Sequence, residues 1–455
     1  MSGSSAGQSG RPAAPDWVAH AIWWQVYPLG FVGAPVSSEA QRHDPSVHSL
    51  ERLIVWLDYA VELGVSGLLL GPIFASETHG YDTTDFCRID PRLGDSPDVF
   101  DRLVTEAHAR GLRVVLDGVF NHVGRSFAPF QRALEEGRSA PEFGWFRAIG
   151  EAADPGEQRF ENFEGHDALV LLDHDEPRVA DFVAGVMSYW LDRGADGWRL
   201  DAAYAVPPAF WATVLPRVRN GHPEAFLFGE VIHGDYPAIV AESTLDSVTQ
   251  YELWKAVWSS ISDANFFELS AALDRHDSFV QHFVPVTFVG NHDVTRLAST
   301  IGDERHREHA LVVLMTVAGT PTLYYGDEQG FTGVKEERAG GDDVVRPEFG
   351  KGGPSTLAPE GWTVYHLHQS LIGLRRRHVW LHSARTTGLA LTNEFFAYEV
   401  AAREGVGRLV VLLNLADSEY RQALDGRWAV VAGAAAQSGT TVTVPPHGWA
   451  VLQPA

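Results

Sequence analysis

Three acidic residues, Asp201, Glu230 and Asp293, each close a short apolar run in the chain. Asp201 lies in Gly194-Ala195-Asp196-Gly197-Trp198-Arg199-Leu200-Asp201-Ala202, where Trp198, Leu200 and Ala202 alternate with Arg199 and Asp201. A period of two is a strand with one apolar face, so Arg199 and Asp201 point inward together. Burying them costs several kcal/mol unless each is paired or used. They are therefore either a structural ion pair at a strand end or a catalytic carboxylate held ionised by its arginine. Glu230 follows Phe226-Leu227-Phe228-Gly229 without a neighbouring cation in sequence, and a dry site would keep it protonated as a general acid. Two such groups about 5 Å apart suit retaining cleavage of a glycosidic bond, one attacking the anomeric carbon and the other protonating the leaving oxygen. Asp293 would then stabilise the oxocarbenium-like transition state, and His122 and His292 would donate hydrogen bonds to sugar hydroxyls. Singly, each has a plainer role: a first-turn helix acid for Glu230, an N-cap for Asp293, a buried histidine for His122. Their convergence on separate strand ends is what favours chemistry.

Those ends must meet, and the pattern along the chain supplies a frame for it. Apolar strands are predicted at 22–27, 65–70, 112–119, 197–202, 226–231, 247–251, 284–289 and 320–325, separated by helical stretches such as 49–63, about 97–110 and 175–193. Near-continuous apolar strands belong to a parallel sheet covered on both faces, and eight βα units make a (β/α)8 barrel, a TIM barrel of the α/β class. Catalytic groups of such a barrel sit at the C-terminal strand ends, where Asp117, Asn121, His122, Arg199, Asp201, Glu230, Asn291, His292 and Asp293 all fall. Residues 121–174 are rich in Gly, Glu, Phe and Pro with little periodicity, and read as an insert after the third strand. After the helix at 361–377, short strands at 394–400, 408–415, 428–431 and 441–444 predict a separate antiparallel β domain. The expected division is a disordered lead-in at 1–20, barrel at 21–120 and 175–380, an inserted B domain at 121–174, and a C-terminal β-sandwich at 381–455.

Composition narrows the function classes. A net charge of −24 over 455 residues disfavours nucleic acid and anionic membranes as partners, while a neutral substrate is compatible with it. The single cysteine, Cys87, excludes an internal disulfide and a Cys-based metal cluster. No run reaches the roughly 18–20 apolar residues of a membrane span. The Ser-, Gly- and Pro-rich start does not read as a signal peptide, so the expected location is cytoplasmic. Fourteen Trp and twenty-four Phe supply a core, and some of those rings can stack on sugars. An exposed aromatic patch in the insert could be a sugar site or a dimer face, so the chain reads equally as monomer or homodimer.

Four stretches, Asp117-Gly-Val-Phe-Asn-His122, Gly197-Trp-Arg-Leu-Asp201, Gly229-Glu230-Val231 and Phe288-Val-Gly-Asn-His-Asp293, resemble in order the signature motifs of the alpha-amylase family, glycoside hydrolase family 13. His79-Gly-Tyr-Asp82, Ile89-Asp-Pro-Arg-Leu-Gly94 and Gly319-Thr-Pro-Thr-Leu-Tyr-Tyr-Gly326 are similar to it as well. The resemblance implies a catalytic barrel with a B domain and a C-terminal β-sandwich, and retention at α-glucosidic bonds. By position it makes Asp201 the nucleophile, Glu230 the acid/base and Asp293 the stabiliser. Tyr81 becomes the ring under the sugar being cleaved, with His122, Arg199 and His292 around it, and Arg346 a subsite arginine. Many alpha-amylases carry a Lys-His pair after the nucleophile that serves a subsite and the calcium site; Ala203-Tyr204 stand there, so no metal or other cofactor is assigned. Acidic and histidine residues at 166–167 and 173–175 read as caps and solvated turns.

The texture from Asp201 to His233 is similar to the neopullulanase and cyclomaltodextrinase branch. It implies hydrolysis of maltooligosaccharides, mainly at α-1,4 and also at α-1,6 links, cyclic maltosyl-maltose included. A glucanotransferase sharing the same glycosyl-enzyme is the alternative. A non-catalytic sugar-binding protein on the same fold is disfavoured because all three carboxylates are present.

Overall fold

The computed structural model describes residues 14–36, 49–94, 96, 98–150, 158–338 and 340–455. Its centre is an eight-stranded parallel sheet of β1 (Trp23–Val26), β2 (Gly67–Leu70), β3 (Arg113–Gly118), β4 (Gly197–Leu200), β5 (Phe226–Gly229), β6 (Ser247–Val248), β7 (Val286–Phe288) and β8 (Thr320–Tyr324). The order is β6-β5-β4-β3-β2-β1-β8-β7, and a single parallel bridge between Thr249 and Val286 joins the two ends. The result is a (β/α)8 barrel. Its strands are buried on both faces, which is why they read as apolar runs. β4 and β5 approach closely at Gly197, where an added Cβ would meet the Phe226 carbonyl oxygen at 2.2 Å.

Helices such as Val99–Ala109, Pro177–Asp192, Pro208–Gly221 and Gly361–Arg377 cover the outside. Pro177 and Pro208 occupy the first helical positions, where their missing N–H has no intrahelical partner to lose. The sixth strand is shorter than the apolar run at 247–251 suggests. Gln250 caps the helix Tyr251–Ser262 by accepting from the Leu253 N–H at 3.3 Å, which takes Tyr251 out of the sheet.

Residues 1–13 of the expected lead-in lie outside the described residues. The rest of it is ordered: Asp16–His20 form a 3-10 turn under the barrel. Trp17 packs edge-on against Trp23 and Phe226, which stack at 6.3 Å, and so plugs the bottom of the barrel with aromatic surface.

Two excursions rise from the opposite rim. A hairpin after β2, Phe74–Ser76 with Thr83–Ile89, carries His79 and Tyr81; its turn is tied by Asp82, which accepts from the Thr78 N–H at 3.0 Å and from its hydroxyl at 2.5 Å. The segment after β3 forms an antiparallel sheet of His122–Gly124, His166–Leu171 and Asn162–Phe163. It also holds a helix, Ala128–Glu136, that periodicity alone does not announce because only Phe130 and Ala133 are buried.

Beyond Gly361–Arg377 stand β9 (Arg385–Leu391), β10 (Phe395–Ala401), β11 (Arg408–Asn414), β12 (Trp428–Gly433) and β13 (Trp449–Pro454), an antiparallel sheet in the order β9-β10-β11-β13-β12. Alternate residues separate its faces. Phe396, Tyr398, Leu409 and Val411 join the barrel's core. Phe395, Ala397, Val410 and Leu412 pack instead with Val442 and Val444 of a second, three-stranded sheet.

Candidate active site

The C-terminal ends of the barrel strands open into a cleft of about 400 Å³. Tyr81, His122, Asp201, Glu230, Asp293 and Arg346 line it. The other two predicted sugar contacts are not on its wall. Arg199 and His292 are 3% and 1% exposed and lie beneath the carboxylates, partnered by protein groups.

Arg199 organises the floor. Its Nη1 donates to Asp117 at 2.5 and 2.6 Å and to Asp201 Oδ1 at 3.3 Å, while Nη2 contacts Glu230 Oε1 at 2.7 Å. This corrects the charge pattern drawn from sequence, in which Arg199 served Asp201 and Glu230 had no cation. Register explains it: Arg199 pairs with Phe228 across β4 and β5, so Glu230 comes alongside the guanidinium although 31 positions away in the chain. One cation thus faces three carboxyl groups. Burial and the Glu230 charge push the Asp201 carboxyl well above the ordinary range, and Arg199 only partly offsets them. Burial also raises Asp117 against the same arginine.

Ala202 follows Asp201 in the left-handed region, at φ 45°, a costly conformation for a residue with a Cβ. Its N–H is thereby delivered to Glu230 Oε2 at 3.1 Å. Tyr251, which sequence reasoning left as a strand residue, donates its hydroxyl to Glu230 Oε1 at 2.9 Å. The polar Gln250 before a helical pattern is the signal that could have shown a strand ending early and a side chain turned into the site.

Across the cleft, Asp293 is held by Arg346 Nη2 at 2.5 Å and by His292 Nε2 at 3.0 Å. Burial would raise its carboxyl, but His292 and Arg346 outweigh that and hold it well below the usual range. Gln25 donates to His292 Nδ1 at 3.2 Å, which assigns the ring proton to Nε2, facing Asp293. The Tyr81 hydroxyl bonds the same Nε2, and its ring lies parallel to His292 at 5.5 Å. Arg346 also bonds Asp342 and the His292 carbonyl oxygen and lies 4.7 Å from the Tyr27 ring centre, so the expected subsite arginine lines the cleft and anchors Asp293 as well. His122 contacts the Tyr81 carbonyl oxygen at 3.0 Å and stacks on Phe163 of the insert at 4.8 Å. Burial lowers the His122 ring to about 4, so it is neutral at physiological pH.

At the base of the insert, Asn121 Nδ2 donates to His122 Nδ1 at 3.1 Å, His174 Nε2 contacts the Phe120 carbonyl oxygen, and Asp173 accepts from Arg147. Among the described residues no group of three or more His, Cys, Asp or Glu is gathered to hold a metal. Likewise, no helix is long and apolar enough to cross a membrane.

The chain with this barrel and these three carboxyl groups at its C-terminal mouth is a glycosidase of the alpha-amylase family, because residues 25–351 match the model of the alpha amylase catalytic domain. Among its relatives, the cyclomaltodextrinase of Geobacillus thermopakistaniensis (strain MAS1) is 30% identical over 468 residues, covering 96% of this chain and 77% of that protein. Neopullulanase 2 of Thermoactinomyces vulgaris is 33% identical over 71% of this chain, which spans 58% of that relative's length. Among solved structures, the debranching enzyme from Nostoc punctiforme superposes with a TM-score of 0.83 at 25% identity, over 97% of this chain and 100% of the other. The cyclic alpha-maltosyl-(1→6)-maltose hydrolase from Arthrobacter globiformis shares the fold, with a TM-score of 0.80 at 24% identity, over 97% of this chain and 99% of the other.

Proposed function

We propose that the protein is a retaining hydrolase of α-glucosidic bonds in maltooligosaccharides, α-1,4 mainly and α-1,6 as well, cyclic ones such as cyclic maltosyl-maltose included. The observation that carries this reading is the placement of Asp201 and Glu230 on one guanidinium at the floor of a sugar-sized cleft, with Asp293 opposite. Asp201, as carboxylate, bonds to the anomeric carbon while Glu230 protonates the leaving oxygen; Glu230 then takes a proton from water, whose oxygen bonds to the anomeric carbon as the bond to Asp201 breaks, which releases the sugar with its α configuration. Asp293 bears the negative charge that steadies the oxocarbenium-like transition state, and Tyr81 offers its ring to the sugar. The names of the relatives support maltooligosaccharides and cyclomaltodextrins as the substrate class. The composition and the relatives described as intracellular maltogenic amylases of Bacillus subtilis support a cytoplasmic site of action.

Incubation with maltotriose and cyclic maltosyl-maltose, followed by proton NMR of the nascent anomer, tests the reading. Initial α products and their loss in D201N support it; initial β products refute retention. Chains longer than the input would favour the transferase alternative.

A further inference from the structure

A second hydrogen-bonded chain reaches Glu230 from the far side of the barrel, and its direction can be assigned atom by atom. The Asp293 backbone N–H can only donate, and it does so to Asn291 Oδ1 at 2.8 Å. The Asn291 amide is therefore oriented with Nδ2 toward the Tyr251 hydroxyl oxygen at 3.0 Å, where it donates. Tyr251 then has its one proton for Glu230 Oε1 at 2.9 Å. Oε1 thus accepts two donors, the Tyr251 hydroxyl and Arg199 Nη2 at 2.7 Å, while among the described residues Oε2 accepts only the Ala202 N–H at 3.1 Å. A carboxyl proton goes to the oxygen with the fewer and weaker donors. Asn291 is buried, and Tyr251, also buried for the most part, reaches the wall of the cleft.

We propose that Tyr251, oriented by Asn291, is a positioning residue that reserves Oε2 of Glu230 as the oxygen carrying the transferred proton. Through Asn291 it also ties the acid to the turn that presents Asp293. The proposal rests on Glu230 being the acid/base of the reading above. The charged and titratable groups facing Glu230 are Arg199 and Asp201 from β4 and its end, Asp117 from β3, Tyr204 from the following loop and Tyr251 itself.

The test is the pH dependence of kcat/KM on maltotriose for wild type, Y251F, N291D and the double variant. Tyr251 donates to the ionised carboxylate, so its loss favours the protonated form and moves the alkaline limb to higher pH, by about half a unit or more, with a fall of about tenfold in kcat. In N291D the new carboxylate competes for the Tyr251 proton and turns it from Glu230, so the limb moves the same way. In the Y251F background N291D then adds only the through-space effect of its charge, less than it adds in the wild type. An alkaline limb in Y251F that superimposes on the wild type overturns the proposal, as does full additivity of the two changes. Wild-type activity that survives E230Q overturns the underlying reading instead, which separates the two failures.

Discussion

Arg199 stands closer to Glu230, at 2.7 Å, than to Asp201, at 3.3 Å. The arginine is therefore shared between the two carboxyl groups of the proposed mechanism, and its shortest contact is to neither of them but to Asp117, at 2.5 Å. Removing it leaves three buried carboxyl groups around an uncompensated site. R199A is expected to lose about 3–5 kcal/mol of stability at pH 7, read by urea unfolding, and to lose turnover. R199K keeps the charge but cannot span three partners from one plane, so it recovers stability more than activity. Equal stability of R199A and wild type would contradict the shared-cation geometry.

The acid side of the activity profile follows from the same crowding. In the proposed mechanism Asp201 attacks as the carboxylate, and burial together with Glu230 pushes its carboxyl upward. The acid limb of kcat/KM on maltotriose should therefore lie above about 3.9, the value of a free aspartate. A limb at or below that value would show Arg199 winning over burial.

Asp201 and Asp293 make opposite contributions to stability. A carboxyl whose folded pKa is raised stabilises the fold at pH values below the unfolded pKa, and that contribution is lost as pH rises through the folded one. Asp201 is of this kind, so D201N is expected to be inactive yet more stable at pH 7, by about 1 kcal/mol. Asp293 is held low by His292 and Arg346, so its contribution is present above the unfolded pKa and is lost as pH falls through the folded one. D293N should be inactive and less stable at pH 7. Thermal melts of the two variants at pH 7 check the pair, and shifts of the same sign would refute the assignment.

The C-terminal sheet is a wall of the barrel's core as much as a domain of its own, since Phe396, Tyr398, Leu409 and Val411 pack into that core. Trp449 also donates to Glu308, and His447 contacts His306 at 2.9 Å. A chain stopped before Arg385 exposes this apolar face and is expected in the insoluble fraction on expression. Recovery of a soluble, active barrel would show that the sheet is dispensable.

Much of this architecture is legible in the residues. The barrel strands announce themselves because both faces are buried, and Asp201, Glu230 and Asp293 stand out together because the plain roles open to each singly do not account for three acids ending three strands of one barrel. Pairing across strands is not legible in the same way. Arg199 reads as the partner of Asp201 two positions on, whereas register delivers it to Asp117 and Glu230 as well. Tyr251 is hidden for a related reason: its apolar-looking run stops being strand after Val248, and only the Gln250 cap marks the turn. The helix at Ala128–Glu136 escapes notice because it buries only two residues, and such a helix leaves almost no periodic trace.

The junction between β6 and β7 is one bridge wide, Thr249 to Val286, while the other strand pairs are held by two to four registers. Thermal breathing of the ring therefore starts at this stave. Tyr251 and Asn291 flank it, so the first openings part Glu230 from Tyr251 while the helices and the other strands are still intact. Heat should lower turnover before it melts the molecule.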